Sequence, residues 1–155
     1  MTEIDRSLIG QFTEPYIVEI EKGAIAKFAD AIGDPNPLYR DEAYARRHGY
    51  ASIPAPPTYP TTFLPPLPPW LANLDMRRLL AGGMTYDYAK PIVAGMRLSC
   101  RVRFVGVDDK QGSKGRMSLI RQQIQGHDET GELIYTANRT TAYRAQVQFG
   151  NGEKT

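Results

Sequence analysis

The order of apolar and polar positions predicts a helical front half in this chain. Apolar and acidic residues alternate over residues 15–22, a pattern that is typical of a short strand. Apolar residues then recur at helical spacing over residues 21–32 and predict an amphipathic helix, with an apolar face formed by Ile25, Phe28, Ala29 and Ile32. A second short helix is predicted over residues 41–48, because Asp41 suits a cap and Gly49 suits a stop.

The back half of the chain alternates as an antiparallel sheet does. Four strands are predicted at residues 84–89, 97–107, 116–125 and 133–144, with turns at residues 108–115 and 128–131. The second of these strands has an apolar face of Leu98, Cys100, Val102 and Phe104 and a basic face of Arg97, Arg101 and Arg103. The alternation breaks within the third strand, which indicates a β-bulge or two buried faces.

Proline separates the two halves. The chain has 12 prolines, and eight of them lie between Pro54 and Pro69. Pro-Pro pairs cannot sit inside a helix, so only residues 58–64 remain free to form a short central helix. We interpret the segment as a rigid crossing over the sheet with Leu67 and Trp70 turned inward, and a polyproline ligand for an aromatic groove is the alternative. Because the sheet has one face to cover, an α+β architecture is predicted.

Length and charge narrow the class of protein. The chain has 155 residues, 41% of them hydrophobic, and a formal net charge of +2, which suits one globular domain and is too weak for a nucleic-acid surface. Its single cysteine cannot form an internal disulfide, and no apolar run is long enough to cross a bilayer. The first residues lack the apolar core of a signal peptide. We therefore expect one cytoplasmic domain over residues 1–155, with a core at about residues 14–145 and a frayed C-terminal tail.

Two short motifs frame the most informative region. They are Gly-Asp-Pro-Asn-Pro at residues 33–37 and Ala-Pro-Pro-Thr at residues 55–58, and the spacing continues to residues 82–92 and 131–133. In these residues the chain resembles the MaoC-like dehydratase family, the hot-dog group of (R)-specific enoyl-CoA hydratases and 3-hydroxyacyl-thioester dehydratases. The resemblance implies a single hot-dog domain, in which an antiparallel sheet wraps around a short central helix. It also implies a pair of domains with an acyl groove at the shared interface.

The resemblance implies a catalytic pattern from which this chain departs. Active members carry an Asp and, five positions later, a His, which hold a water and exchange a proton with the substrate's α-carbon. Here the Asp is Asp34 and Asn36 follows as in the family, but the His position holds Tyr39. An ordinary tyrosine has a pKa of about 10 and a histidine about 6.5, so tyrosine is a poor proton exchanger near neutral pH. The oxyanion position holds Pro57, and proline has no N–H to donate.

Several of these residues also have structural explanations. Asp34 suits a turn, because its carboxylate can accept hydrogen bonds from nearby backbone N–H groups. Tyr39 suits a core position. Cys100 is expected to be a small buried hydrophobe, and neither His48 nor His127 is expected to rescue the site. A solvated strand face is the better explanation of the basic arginine row, and a site for coenzyme A phosphates is the alternative.

We therefore expect the non-catalytic, substrate-shaping subunit of an enoyl-CoA hydratase or 3-hydroxyacyl-thioester dehydratase of fatty acid metabolism. An acyl-CoA or acyl-carrier-protein thioester is the expected ligand, with Tyr59, Phe63 and Trp70 as substrate-binding residues. The expected assembly is a homodimer, or a heterodimer or heterotetramer with a catalytic MaoC-like chain. Two alternatives stay open: a homodimeric acyl-thioester binding module without catalysis, and an active hydratase that uses Asp34 and Tyr39. No metal, cofactor, nucleic acid or membrane is expected.

Overall fold

The helices of the computed structural model, which describes residues 4–113 and 115–144, lie close to their predicted bounds. Helix α1 is Lys22–Ala31 and helix α2 is Glu42–Arg47. The Asp41 carboxylate caps α2, because it accepts a hydrogen bond from the Tyr44 N–H at 3.0 Å. Each helix buries only a narrow face, formed by Ile25 and Ala29 in α1 and by Ala45 in α2. The prediction for Ile32 is wrong: it is 50% exposed, because α1 ends at Ala31 and Ile32 lies just beyond the last turn. No helix in the described ranges is both long and apolar enough to cross a membrane.

Five strands form one antiparallel sheet in the order β1-β3-β4-β5-β2. The strands are β1 Tyr16–Glu19, β2 Leu79–Tyr88, β3 Arg97–Gly112, β4 Gly115–His127 and β5 Leu133–Arg144. β5 has the predicted bounds. The predicted turn after β4 is confirmed, because the Asp128 carboxylate accepts hydrogen bonds from the Thr130 and Glu132 N–H groups at 2.9 and 3.0 Å. The predicted tail after residue 145 lies outside the described residues.

The hairpin of β3 and β4 is longer than predicted. The prediction of a turn at residues 108–115 is wrong, since β3 runs to Gly112, β4 starts at Gly115, and these two glycines pair. The polar residues at this end of the hairpin pair through their backbones and form ion pairs. Because backbone pairing does not require alternating apolar side chains, the sequence pattern did not predict these strand residues. The ion pairs join Arg121 to Asp108 at 2.7 Å and Arg6 to Asp109 at 2.8 Å.

Two further details of the sheet differ from the prediction. Strand β2 starts at Leu79 rather than at residue 84, because its exposed first residues pair with β5 through their backbone. Strand β3 has a register shift between Phe104 and Gly106. The predicted irregularity was in β4, and the shift lies on the strand paired with it. In the strand order of the sheet, β2 is an edge strand.

One face of the sheet carries the core. Leu98, Cys100, Val102 and Phe104 are 0% exposed, as the alternation predicts. The opposite face of β3 is exposed, and its Arg101 guanidinium lies 4.2 Å from the centre of the Phe12 ring. This stacking on an aromatic ring is a structural role for part of the basic row.

The proline-rich segment crosses the core face in single 3₁₀ turns. The first turn, Tyr59–Thr62, is all that forms of the predicted short central helix, and a second is Pro69–Leu71. Trp70 points inward as predicted, since it is 2% exposed and stacks on Phe104 with 5.0 Å between ring centroids. The prediction for Leu67 is wrong: it is 56% exposed, because the flanking prolines hold it extended along the surface.

Candidate functional site

The loop after α1 holds Asp34 and Asn36 in a tight turn. The Asp34 carboxylate accepts a hydrogen bond from the Asn36 N–H at 2.9 Å, and the Asn36 side chain accepts one from the Leu38 N–H at 3.0 Å. Gly33 adopts a left-handed backbone with φ 71° that ends the helix and reverses the chain. Both polar side chains therefore have a structural role in the loop, and both are half-buried.

This turn presents Tyr39 to a pocket of about 360 Å³, which we call the Tyr39 pocket. Its walls come from the loop after α1, from the proline-rich segment and from the end of β2, and include Leu38, Tyr50, Ala55, Pro57, Tyr88 and Ile92. Burial, and then the neighbouring Asp34 and Tyr50, raise the pKa of Tyr39 above its ordinary value. The phenol therefore stays protonated at neutral pH and gives up its proton less readily than an exposed tyrosine.

The proline-rich wall of this pocket is short of hydrogen-bond donors. Pro56 and Pro57 have no N–H, the Ala55 N–H donates to the Ile92 carbonyl at 2.8 Å, and the Tyr59 N–H donates to the Pro56 carbonyl at 2.9 Å. The Pro57 carbonyl accepts a hydrogen bond from the Tyr88 hydroxyl. Residues 55–57 therefore offer no free N–H group to this wall, and a developing oxyanion needs such a donor.

The three predicted substrate-binding aromatics lie in the core and not on the pocket wall. Tyr59, Phe63 and Trp70 are 4%, 8% and 2% exposed. Tyr59 packs edge-on against Phe63 at 5.4 Å between ring centroids, and Phe63 packs against Tyr135 at 6.1 Å. Tyr135 in turn contacts Tyr88 on the pocket wall at 6.3 Å. A row of rings thus connects the core to the pocket, although the three predicted residues do not line its wall.

Some residues of interest were missed by the sequence analysis. Tyr50 and Tyr88 line the Tyr39 pocket, and the alternation of Tyr86 and Tyr88 along β2 was the available signal. Arg139 lies on the inward face of β5, in alternation with buried Tyr135 and Ala137. A charged residue at such a position is unusual, and its place in the alternating pattern was the signal.

The histidines and the cysteine lie away from the Tyr39 pocket. His48 stacks on Tyr44 and its Nδ1 lies 2.8 Å from the Tyr44 carbonyl oxygen, while His127 ends β4. Cys100 is fully buried, as predicted, and burial raises the pKa of its thiol, which makes it a poor nucleophile. Within residues 4–113 and 115–144, no three His, Cys, Asp or Glu side chains are grouped to hold a metal ion.

Comparison with known proteins identifies relatives over most of the chain. Residues 7–137 match the family "FAS1-like, dehydratase domain region". A UPF0336 protein of Thermobifida fusca is 37% identical over 156 residues, covering 95% of this chain and 98% of that protein. The match therefore spans nearly the full length of both chains.

Two solved structures share the fold. The truncated HadBC complex of Mycobacterium tuberculosis, a 3R-hydroxyacyl-ACP dehydratase, superposes with a TM-score of 0.72 at 21% identity, covering 87% of this chain and 96% of that one. A MaoC-like dehydratase superposes with a TM-score of 0.74 at 22% identity, covering 90% of this chain and 43% of that one. These likenesses confirm the predicted α+β hot-dog fold. With the match over residues 7–137, they show that the chain belongs to the FAS1-like dehydratase domain region family.

Proposed function

We propose that this chain is the substrate-shaping, non-catalytic subunit of a cytoplasmic enoyl-thioester hydratase. Such an enzyme adds water reversibly to a 2-enoyl thioester and forms a 3-hydroxyacyl thioester. The observation that carries the proposal is that Tyr39 lines the Tyr39 pocket, where burial and then Asp34 raise its pKa. The resemblance to MaoC-like dehydratases assigns this residue the place of the proton-exchanging histidine. The likeness to HadBC supports it, because that protein is a dehydratase complex of the same fold.

The proton transfers of hydration explain why Tyr39 matters. A base must remove a proton from water as its oxygen bonds to C3 of the substrate, and an acid must deliver a proton to C2. The Asp34 carboxylate can accept the first proton. The raised pKa of Tyr39 opposes loss of its proton, because the resulting phenolate would sit in a half-buried site near a carboxylate. The pair therefore lacks a group that both gives and takes a proton near neutral pH.

The donor-poor wall at Pro57 is a second, independent deficit. The thioester oxygen gains negative charge during the reaction, and N–H groups aimed at it normally stabilise that charge. Loss of one such donor lowers kcat by roughly 10²–10³ in a serine protease, where an oxyanion also forms. Pro57 supplies no donor, and the nearby Tyr88 hydroxyl is directed to the Pro57 carbonyl.

A catalytic partner chain would supply the missing groups. Strand β2 is an outer strand, and it carries Tyr88 of the pocket wall together with the exposed Leu80. We propose that a MaoC-like chain with an intact Asp/His pair docks along this edge. The ligand is an acyl thioester on coenzyme A or acyl carrier protein, and Tyr59, Phe63 and Trp70 set the width of the acyl groove from behind.

A hydration assay tests the proposal. The purified chain, alone and mixed with such a partner, is given enoyl-CoA substrates with short, long and bulky acyl groups, and loss of the conjugated double bond is followed by ultraviolet absorbance. We expect no turnover by the chain alone, and a mixture whose acyl range differs from that of the partner alone. Asp34→Asn in this chain should leave the activity of the mixture unchanged.

The other outcomes are equally informative. Turnover by the chain alone that Asp34→Asn abolishes would overturn the proposal in favour of an active hydratase that uses Asp34 and Tyr39. Thioester binding with no effect on any partner's acyl range would overturn it in favour of a binding module. As a second arm, Tyr39→His with Pro57→Gly should give turnover where either substitution alone gives none, since each change repairs only one of the two deficits.

A further inference from the structure

A second cavity, of about 580 Å³, lies beside the start of β2. Its walls come from the end of the proline-rich segment and from β2 and β5, and include Leu67, Leu71, Leu79 and Met84. Most of these residues are apolar, and Leu67 is more than half exposed at the mouth. We call this cavity the Arg139 groove after the one charged residue among its described lining residues.

Arg139 is a half-buried cation with a neutral partner. Its Nε and one terminal nitrogen donate to the Gln122 side-chain oxygen at 3.1 and 2.8 Å. In the part of the chain that the structure describes, no carboxylate lies within 4.0 Å of the guanidinium, although a guanidinium carries five donors. Burial lowers the pKa of Arg139, which reflects the cost of holding this charge away from water.

Two buried polar atoms near Arg139 have no hydrogen-bond partner among the described residues. Gln122 is 1% exposed, and its Nε2 has no hydrogen-bond partner among the described residues. The buried Tyr16 hydroxyl is likewise without a partner there, and Tyr16 lies near enough to raise the pKa of Arg139 against the effect of burial. Buried donors are normally paired, so this group lacks an acceptor.

We propose that the Arg139 groove binds the carboxylate of an aliphatic acid. The carboxylate accepts hydrogen bonds from the Arg139 guanidinium, because a planar guanidinium matches the geometry of a carboxylate. The hydrocarbon chain lies along Leu71, Leu79 and Met84, since apolar walls with a few convergent polar groups are typical of small-molecule sites. This site does not depend on the proposed hydratase function.

The carboxylate has two sources of the same chemistry. It can belong to a free fatty acid, or it can be the far end of a dicarboxylic half-thioester. A half-thioester would occupy both cavities at once, with its carboxylate in the Arg139 groove and its thioester in the Tyr39 pocket. Met84 of the groove and Tyr88 of the pocket lie four residues, about 13 Å, apart on one face of β2.

Trp70 provides the readout for a binding experiment. It is the only tryptophan of the chain, it is buried, and it shares a 3₁₀ turn with Leu71 of the groove wall. The full-length chain is titrated with dodecanoate and with dodecanol, both below their aggregation limits, and the fluorescence of Trp70 is followed. We expect dodecanoate to bind about 10-fold to 100-fold more tightly, the factor that a charge-assisted hydrogen bond supplies.

Two variants locate the effect. Arg139→Gln should abolish the preference for dodecanoate, whereas Arg121→Gln should retain it, because Arg121 is an exposed arginine of β4 that pairs with Asp108. Equal binding of the two ligands to the unmodified chain, or binding of neither, would overturn the proposal even if Arg139→Gln did not fold. A higher affinity for ω-carboxydodecanoyl-CoA than for dodecanoyl-CoA would assign the carboxylate to a half-thioester, and equal affinities would assign it to free acids. None of these readouts requires hydration activity.

Discussion

The contact between Gly126 and Tyr135 gives the sharpest test of the core packing. The Gly126 backbone of β4 faces the Tyr135 ring of β5, and the two residues pair across the sheet. A Cβ atom at position 126 would lie 2.2 Å from Cε1 and 2.7 Å from Cδ1 of that ring. Non-bonded carbon atoms need about 3.5 Å, so Gly126→Ala forces the ring to move by more than about 1 Å. Tyr135 is 1% exposed, and its ring packs near Phe63 and Tyr88 at 6.1 and 6.3 Å between centroids.

The size of the effect follows from this geometry. Overpacking of a core typically costs 1–3 kcal/mol, and a displaced Tyr135 also loses contacts with Phe63 and Tyr88, so we expect Gly126→Ala to lower the free energy of unfolding by about 3 kcal/mol. For a chain of this length, that loss lowers Tm by roughly 10 °C. Thermal and urea denaturation followed by circular dichroism would measure both values.

A matched glycine in α1 provides the control. A Cβ atom at Gly23 meets nothing within 4 Å, so Gly23→Ala should stabilise the fold by roughly 0.5–1 kcal/mol. The two alanine variants should therefore differ in sign. A loss of less than about 0.5 kcal/mol for Gly126→Ala, the scatter of ordinary surface substitutions, would refute the argument. In a Tyr135→Leu background, Gly126→Ala should cost about 1–2 kcal/mol less than it does in the unmodified protein, because the clash is with the Tyr135 ring.

Three other substitutions test the cap, the stacked core and the pH dependence. Asp41→Ala should cost about 1 kcal/mol in urea denaturation, because the Tyr44 N–H loses its acceptor, and an unchanged midpoint would contradict the capping role. Phe104→Ala should cost about 3–5 kcal/mol and shift the fluorescence of the stacked Trp70 to longer wavelength, whereas a change at the 84% exposed Leu64 should stay within about 0.5 kcal/mol. Hydrogen bonds from the Lys22 and Arg46 side chains lower the pKa of Glu42 from 4.5 to about 2, so its contribution is complete above pH 4.5 and is lost as the pH falls towards 2. Glu42→Gln should therefore flatten the stability profile between pH 2 and 4.5, and parallel profiles for the two proteins would disprove this.

The two departures from the catalytic pattern act at one place in the folded protein. Tyr39 and Pro57 are 18 positions apart in the chain, yet both line the Tyr39 pocket. In the proposed function, one departure affects proton exchange and the other affects charge on the thioester oxygen, so the expected consequences for the rate multiply. Asp34 is not among the residues that line this pocket and acts on it only through the pKa of Tyr39, while a row of aromatic rings connects the pocket wall to the core.

Local patterns were sufficient for the parts of this protein that local interactions determine. The apolar spacing of α1, the Asp41 cap of α2 and the Asp128 turn were all predicted, because helix faces, caps and tight turns depend on residues a few positions apart. The alternation of β3 likewise identified its buried face. The motif at residues 33–37 also led to the family, because it is a short, contiguous stretch of sequence.

Tertiary structure decided what depends on distant partners. The first residues of β2 and the polar arm of the β3–β4 hairpin are strands because a neighbouring backbone pairs with them, and backbone pairing leaves no trace in side-chain alternation. Leu67 faces outward because of how the prolines cross the sheet. The meeting of Tyr39 with Tyr88, and of Arg139 with Gln122, joins residues from separate elements of the chain. The sequence by itself determined the family, and only the folded sheet determined which side chains share each cavity.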